Sequence, residues 1–247
     1  MTALVRERHI VDGDLPRVRP RWLVVSAWLV AALLAAGSGI GAVRIVWYSS
    51  VLSVQQVRVT GAVSVSADSV RAAADLRPGT PLMRVDLDGV RARVLADRRI
   101  AWASVSRAWP QTIAIQVRER VPAAVVSSAG GWTIVDADGV GFIDSVQRPS
   151  GLVAVDMEGA GALTAIEVAS ALPSPVAALV DHVSAASRDD VVLHLVLRPG
   201  QAVASRVIWG SAERTEDKAT VLLAMLKQPA LIYNVSAPDH PALSDGP

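Results

Sequence analysis

The stretch 102–122, WASVSRAWPQTIAIQVRERVP, decides the fold of the region around it. Trp102 to Ala108 is predicted as one strand, Trp109-Pro110-Gln111 as a turn, and Thr112 to Arg118 as the next strand. Proline pre-sets φ for the second turn position, and Ile113, Ile115 and Val117 alternate onto one face. Upstream, Val54 to Thr60 is rich in β-branched residues and stops at Gly61, the pattern of another strand. Two helices are expected between them. Ser66 is placed to cap the first, with Val70, Ala73 and Ala74 at helical spacing, and Asp86 the second, where Leu87, Val90 and Val94 share a face. Leu76 to Pro81, including Gly79, breaks the two apart. Arg91, Arg93, Arg98 and Arg99 read as solvated. The order β-α-α-β-β over residues 50–120 predicts one small sheet with helices on one side, an α+β unit.

Further upstream lies an uncharged apolar run, Trp22 to Val43, bounded by Arg21 and Arg44. About 20 residues is the length an α-helix needs to cross a bilayer. Residues 1–21 carry Arg6, Arg8, Arg17, Arg19 and Arg21 against Glu7, Asp12 and Asp14, an excess that keeps such a tail in the cytoplasm. A cleaved signal peptide is the rival reading, but its apolar core would be shorter and end in a small-residue site. This run instead flows into Ile45-Val46-Trp47-Tyr48, whose aromatic pair suits a headgroup layer. The expectation is a single-pass anchor over 22–43 with everything after Arg44 outside the membrane. Gly37 to Gly41 would permit close packing against another membrane helix.

Downstream of Pro122, residues 121–236 predict a mixed β-rich domain with a few helices. Ala123–Val126, Trp132–Val135, Val140–Ile143, Leu152–Val155, Val191–Leu197, Ala202–Trp209 and Leu231–Val235 are its expected strands. Leu163–Leu172 and the segment after Ser211, which carries Lys218, are its expected helices. Asp136-Ala137-Asp138-Gly139 lacks the third oxygen ligand and terminal glutamate of a calcium loop and reads as a hairpin turn. Residues 237–247 are expected to form a flexible tail.

Composition bounds the chemistry. Net charge is +1 and there is no cysteine, which disfavours nucleic-acid binding and excludes disulfides, thiolate metal sites and cysteine nucleophiles. The four histidines are scattered, and none forms an i, i+4 pair. Asp189 and His194 lack a Gly-x-Ser-x-Gly elbow that would make them part of a hydrolase triad. The expectation is a protein without enzyme activity, cofactor, metal or small-molecule substrate. Binding remains, and sheet edges bind by accepting a partner strand. Leu231–Val235 is the candidate edge, with Tyr233 as its expected anchor. Thr112–Arg118 is a second candidate edge. Trp109 is expected to pack the first unit together. Arginine far outnumbers lysine, which suggests a GC-rich genome.

The residues Gly61, Gly79, Arg107, Trp109, Pro110, Glu119, Arg120 and Pro122, in this order just after an apolar helix, resemble the POTRA domain of the FtsQ/DivIB family of bacterial division proteins. The Arg-x-Trp-Pro turn and the Glu-Arg-x-Pro exit carry most of the likeness. Strand-Gly210, the Lys218 helix and Leu231-Ile232-Tyr233-Asn234-Val235 resemble the β domain of the same family. The resemblance implies a bitopic scaffold at the division septum that helps assemble the septal peptidoglycan machinery. It also implies contact of the last strand region, Leu231, Ile232, Tyr233, Asn234 and Val235, with FtsB-like and FtsL-like coiled-coil proteins. The alternative is a POTRA-type chaperone module in protein export or envelope assembly, though such chains usually carry several units or a barrel. A wall hydrolase is a third reading.

Overall fold

The computed structural model describes residues 21–48, 52–196 and 205–245. Residues 1–20 of the expected cytoplasmic tail, and residues 197–204 between and within the strands expected at 191–197 and 202–209, lie outside the described residues. Helix α1 runs Arg21–Tyr48, longer than the apolar run that predicts it. Among the described residues no helix is long and apolar enough to cross a membrane. The side chains of α1 are described only between residues 25 and 41, and not continuously; all those described are exposed.

The first folded unit follows the expected order. Strand β1 (Gln56–Thr60) leads to α2 (Ala67–Ala74), a short 3-10 turn (Leu82–Arg84) and α3 (Leu87–Leu95), then β2 (Ile100–Ala108) and β3 (Thr112–Glu119). Both predicted caps form. The Ser66 hydroxyl accepts from Ser69 N (3.0 Å) and the Asp86 carboxylate from Gly89 N (3.0 Å), satisfying donors that the helix itself leaves unpaired. Val70, Ala74, Val90 and Val94 from the helices meet Ile113, Ile115 and Val117 in a continuous core.

One expectation is corrected here. The sheet order is β1-β3-β2, so Thr112–Arg118 lies in the central strand and is not an edge. It pairs in parallel with β1 and antiparallel with β2. Its three alternating β-branched residues are 0–3% exposed, the burial that a centre position provides.

The second unit is one nine-stranded sheet with helices on one face. Its strands are β4 (Ala124–Ser128), β5 (Gly131–Val135), β6 (Gly141–Ser145), β7 (Ala154–Val155), β8 (Val180–Ser187), β9 (Asp190–Leu195), β10 (Arg206–Gly210), β11 (Ile232–Asn234) and β12 (Ala242–Ser244). Their order is β12-β11-β10-β9-β8-β7-β4-β5-β6. Helices α4 (Ala162–Ala171) and α6 (Thr215–Met225) contribute Ile166, Val168, Ala219 and Leu222 to a core shared with Val183, Leu193, Val207, Trp209 and Tyr233. A short helix α5 (Ser174–Ala177) follows the Pro173 break.

Two strands of this unit, like the short helix α5, are not among the expected elements. β8 is a central strand written in Val, His, Ser and Ala, whose weak alternation hides it. β12 occupies part of the tail that was expected to be flexible, and it pairs antiparallel with β11. The Arg214 guanidinium holds the same tail through Asp239 (2.7 and 3.2 Å).

Candidate functional site

The motif residues that suggested the family build the first unit and its junction with the second. Gly61 turns the chain after β1 with φ +85°, and a Cβ there would stand 2.0 Å from the Val117 carbonyl oxygen, so only glycine fits. Gly79 has φ +84° with open space around it, and its N–H donates to Val54 O (2.9 Å). The Arg107 guanidinium donates to Leu82 O (2.7 Å) and Val85 O (2.8 Å), so the Arg-x-Trp-Pro motif clamps the 3-10 turn. Pro110 sits in a cis peptide with Trp109.

Glu119 accepts the backbone N–H groups of Val63 (2.6 Å), Ser64 (3.1 Å) and Val65 (3.0 Å), and the Ser64 hydroxyl. Burial alone would raise its pKa. The Ser64 hydroxyl and the three amides outweigh that and hold the carboxyl down at about 2.

Arg120 Nε donates to Arg98 O (3.0 Å), and its Nη1 pairs with Asp136. Asp136 also accepts from Asp138 N (3.1 Å) and Val140 N (2.8 Å), which is the hairpin turn that its Asp-x-x-Gly pattern predicts. Partial burial pushes its pKa up, but the Val140 amide and Arg120 bring it below the ordinary value. Pro122 follows as an exposed residue of the link. A cleft of about 700 Å³ opens at this junction, lined in part by Trp102, Arg118, Val121 and Pro122.

Trp109 does not pack the unit as expected. It is 52% exposed and does not belong to the core of Val, Ile, Leu and Ala side chains, which is complete without it.

The candidate partner segment, Leu231–Val235, lies at the other sheet. β11 pairs in parallel with β10, through Arg206↔Ile232, Val207↔Tyr233 and Ile208↔Asn234. On its other side it pairs with β12, through Ile232↔Ser244, Tyr233↔Leu243 and Asn234↔Ala242. It is therefore the second strand and not the edge: the three residues Ala242–Ser244 cover it. Tyr233 is corrected as the expected anchor. It is 1% exposed, its hydroxyl donates to Gln228 O (2.9 Å), and Ala230 N donates to it (3.1 Å), so both its apolar area and its polar tip are used within the chain. Val235 is likewise buried, Ile232 and Asn234 are half-buried, and Leu231 is exposed.

The two ends of the large sheet differ. At β6, Arg98 of the first unit donates to Gly141 O (2.8 and 3.2 Å) and pairs with Asp144 (3.3 Å). β12, at the opposite end, has no strand on its outer side among the described residues, and Ala242, Leu243 and Ser244 are all exposed. Sequence reasoning missed β12 because three residues between Pro241 and the chain's last positions carry too little alternation to mark a strand.

His194 and Lys218, singled out in the sequence, are engaged by neighbours within the second unit. His194 Nε2 meets the Ser184 hydroxyl at 2.9 Å and its ring stacks on His182 at 4.1 Å. Burial, then the neighbouring His182, lowers its pKa, while Asp189 lies at the β8–β9 turn. Lys218 is buried, donates to Ser211 O (2.8 Å) and stands 5.9 Å from the Trp209 ring centroid. Desolvation lowers its pKa.

Comparison with known proteins agrees with this architecture. The family model for the POTRA domain, FtsQ-type, matches residues 52–120. The cell division protein FtsQ of Mycolicibacterium smegmatis is 35% identical over 249 residues, covering 96% of this chain and 72% of that protein. The FtsQ of Streptomyces bingchenggensis is 37% identical, covering 87% of this chain and 85% of its own length. That of Streptomyces collinus is 35% identical, with 92% and 89% covered. These relatives come from actinobacteria, in keeping with the arginine-rich composition. With an FtsQ-type POTRA unit leading into the nine-stranded sheet, and relatives matched over most of both lengths, the chain belongs to the FtsQ family of cell division proteins.

Proposed function

We propose that this chain is a bitopic scaffold of the bacterial division septum, anchored by α1 and binding other membrane division proteins on the outer side of the cytoplasmic membrane. The anchor reading is supported by the uncharged run Trp22–Val43 within a 28-residue helix. It is also supported by Val25, Trp28, Leu29, Leu33 and Leu34, each more than half exposed. A helix apolar on all sides belongs in a core or a bilayer, and these side chains have no core around them. The arginine-rich residues 1–21 then belong on the cytoplasmic side.

The partner site is the β12 end of the large sheet, with β11 as the layer behind it. The observation that carries this is a difference between the two terminal strands: Arg98 occupies Gly141 O and Asp144 on β6, while all three residues of β12 are exposed. Main-chain groups on an open edge accept an incoming strand. The partner class that fits is a strand offered by FtsB-like and FtsL-like coiled-coil proteins. Leu231 and Ile232 supply apolar contact beside it, and Tyr233 and Val235 hold the edge in place from within. The scaffold helps assemble the septal peptidoglycan machinery by recruitment, without turnover.

Depletion of the chain in its own host tests the reading. Cells should elongate without septa, and a variant lacking an intact β12 should not restore division. Normal septation after depletion would overturn the role in division.

A further inference from the structure

The β2–β3 turn lies at the end of the POTRA sheet where the chain arrives from α1. Gln111 O accepts the N–H groups of Gln55 (2.9 Å) and Gln56 (3.2 Å), so the turn is fixed to the first residues of the sheet. Gln55 follows the last residue of α1, Tyr48, by seven positions, a reach of about 24 Å at most.

The 3-10 turn stands at the same end. Val54 N donates to Thr80 O (2.8 Å) and Gly79 N to Val54 O (2.9 Å), and Cα atoms of α1 and of Leu82–Arg84 approach within 8 Å. Arg107 ties this turn to the hairpin. Three loops thus converge beside the end of the anchor.

What they present is distinctive. Trp109 is 52% exposed at the tip, next to exposed Pro110, and Arg77, Pro78 and Arg84 are exposed on the neighbouring loops. Tryptophan partitions to the headgroup layer, where its ring is desolvated and its N–H stays wet, and arginines beside it favour anionic lipid.

We propose that the Trp109–Pro110 turn, with Arg77 and Arg84, is a second membrane contact that seats the POTRA unit on anionic headgroups and fixes its tilt relative to α1. This rests on the reading of α1 as the membrane anchor. The occupant is the lipid surface itself: the site is joined to the anchor by a few residues and combines an interfacial aromatic with cations.

The absence of native cysteine makes a direct test available. The full chain is reconstituted in vesicles of phosphatidylcholine and phosphatidylglycerol with single fluorophore-labelled cysteines at Pro78→Cys, Val63→Cys and Leu33→Cys. Val63, 92% exposed, follows the opposite end of β1. Nitroxide lipids labelled at the headgroup should quench position 78 several-fold more than position 63, and Trp109→Ala or the pair Arg77→Gln, Arg84→Gln should remove the difference. Acyl-chain nitroxide should quench position 33. Equal quenching at 78 and 63 with position 33 quenched would overturn the second contact and leave the anchor standing. A difference that survives Trp109→Ala would mean that the tether alone holds the unit there, which also overturns the proposal. An unquenched position 33 would overturn the anchor reading and this proposal with it.

Discussion

Arg120 and Asp136 form an ion pair across the junction of the two units, with side chains 19% and 9% exposed. Asp136 belongs to the β5–β6 turn and Arg120 to the exit from the POTRA sheet, so the pair ties one fold to the other. Arg120 also reaches back to Arg98 O, and Arg98 reaches forward to Gly141 O. The Glu-Arg-x-Pro exit is therefore a joint.

Removing one partner of this pair leaves a charge half-desolvated beside groups arranged for it. Hydrogen bonds to charged groups contribute about 1.5–3 kcal/mol. Arg120→Ala should destabilise the chain by about that amount and separate the unfolding of the two units. Urea unfolding of the full chain in detergent, followed by both near-ultraviolet and far-ultraviolet signals, checks this: coincident, unshifted transitions would count against it.

Acid should act on the first unit through Glu119. Its folded pKa is about 2 against an ordinary 4.5. A depressed carboxyl contributes stability that is fully present above the unfolded value and is lost as pH falls through the folded one. The loss therefore begins below about 4.5 and runs towards 2, and Asp136 adds to it in the same sense. Glu119→Gln should lower stability at neutral pH and flatten the profile between those values. A variant with the wild-type pH profile would refute the assignment.

Two glycines of similar φ should respond differently to alanine. At Gly79 the added Cβ meets nothing within 4 Å, so the cost is that of the left-handed backbone alone, about 1–2 kcal/mol. At Gly61 the Cβ also meets the Val117 carbonyl at 2.0 Å, and β1 or β3 must shift. Gly61→Ala should be the more destabilising by a clear margin in thermal unfolding. Equal melting temperatures would contradict the close approach.

Tyr233 is a core residue with a satisfied hydroxyl, so its substitution should be felt in the free chain. Tyr233→Phe leaves Gln228 O and Ala230 N without their partner and should cost about 1–3 kcal/mol. Any loss of partner binding in Tyr233→Ala should accompany a loss of folded protein. Full stability in Tyr233→Phe would mean that these two hydrogen bonds contribute nothing to the fold.

The first unit was legible because its signals are local and strong. Ser66 and Asp86 cap helices, Ile113, Ile115 and Val117 alternate, and Trp-Pro-Gln turns the chain. Position within the sheet was not legible, since burial of β3 on both edges depends on β1 arriving in parallel from 56 residues earlier. β8 was hidden because Asp181, His182, Ser184 and Ala185 dilute its hydrophobic alternation, though Val180 and Val183 are buried. For the candidate partner segment, the strand at Leu231–Val235 is legible but its place in the sheet is not. Tyr233 reads equally as an anchor or as a core residue until Gln228 and Ala230 are seen around its hydroxyl, and only the pairing Tyr233↔Leu243 reveals the outer strand. Trp109 reads as packing until the core is seen to close without it.

The open side of β12 is the edge proposed to receive the partner strand. The direct measurement is co-purification from detergent-solubilised membranes of the full chain and of Leu243→Pro, since proline within the short strand removes a donor and disturbs its pairing. FtsB-like and FtsL-like proteins should accompany the wild type and be lost from the variant while its POTRA unit and large sheet remain folded. Undiminished capture by a folded Leu243→Pro chain would contradict this assignment and move the binding site away from this edge.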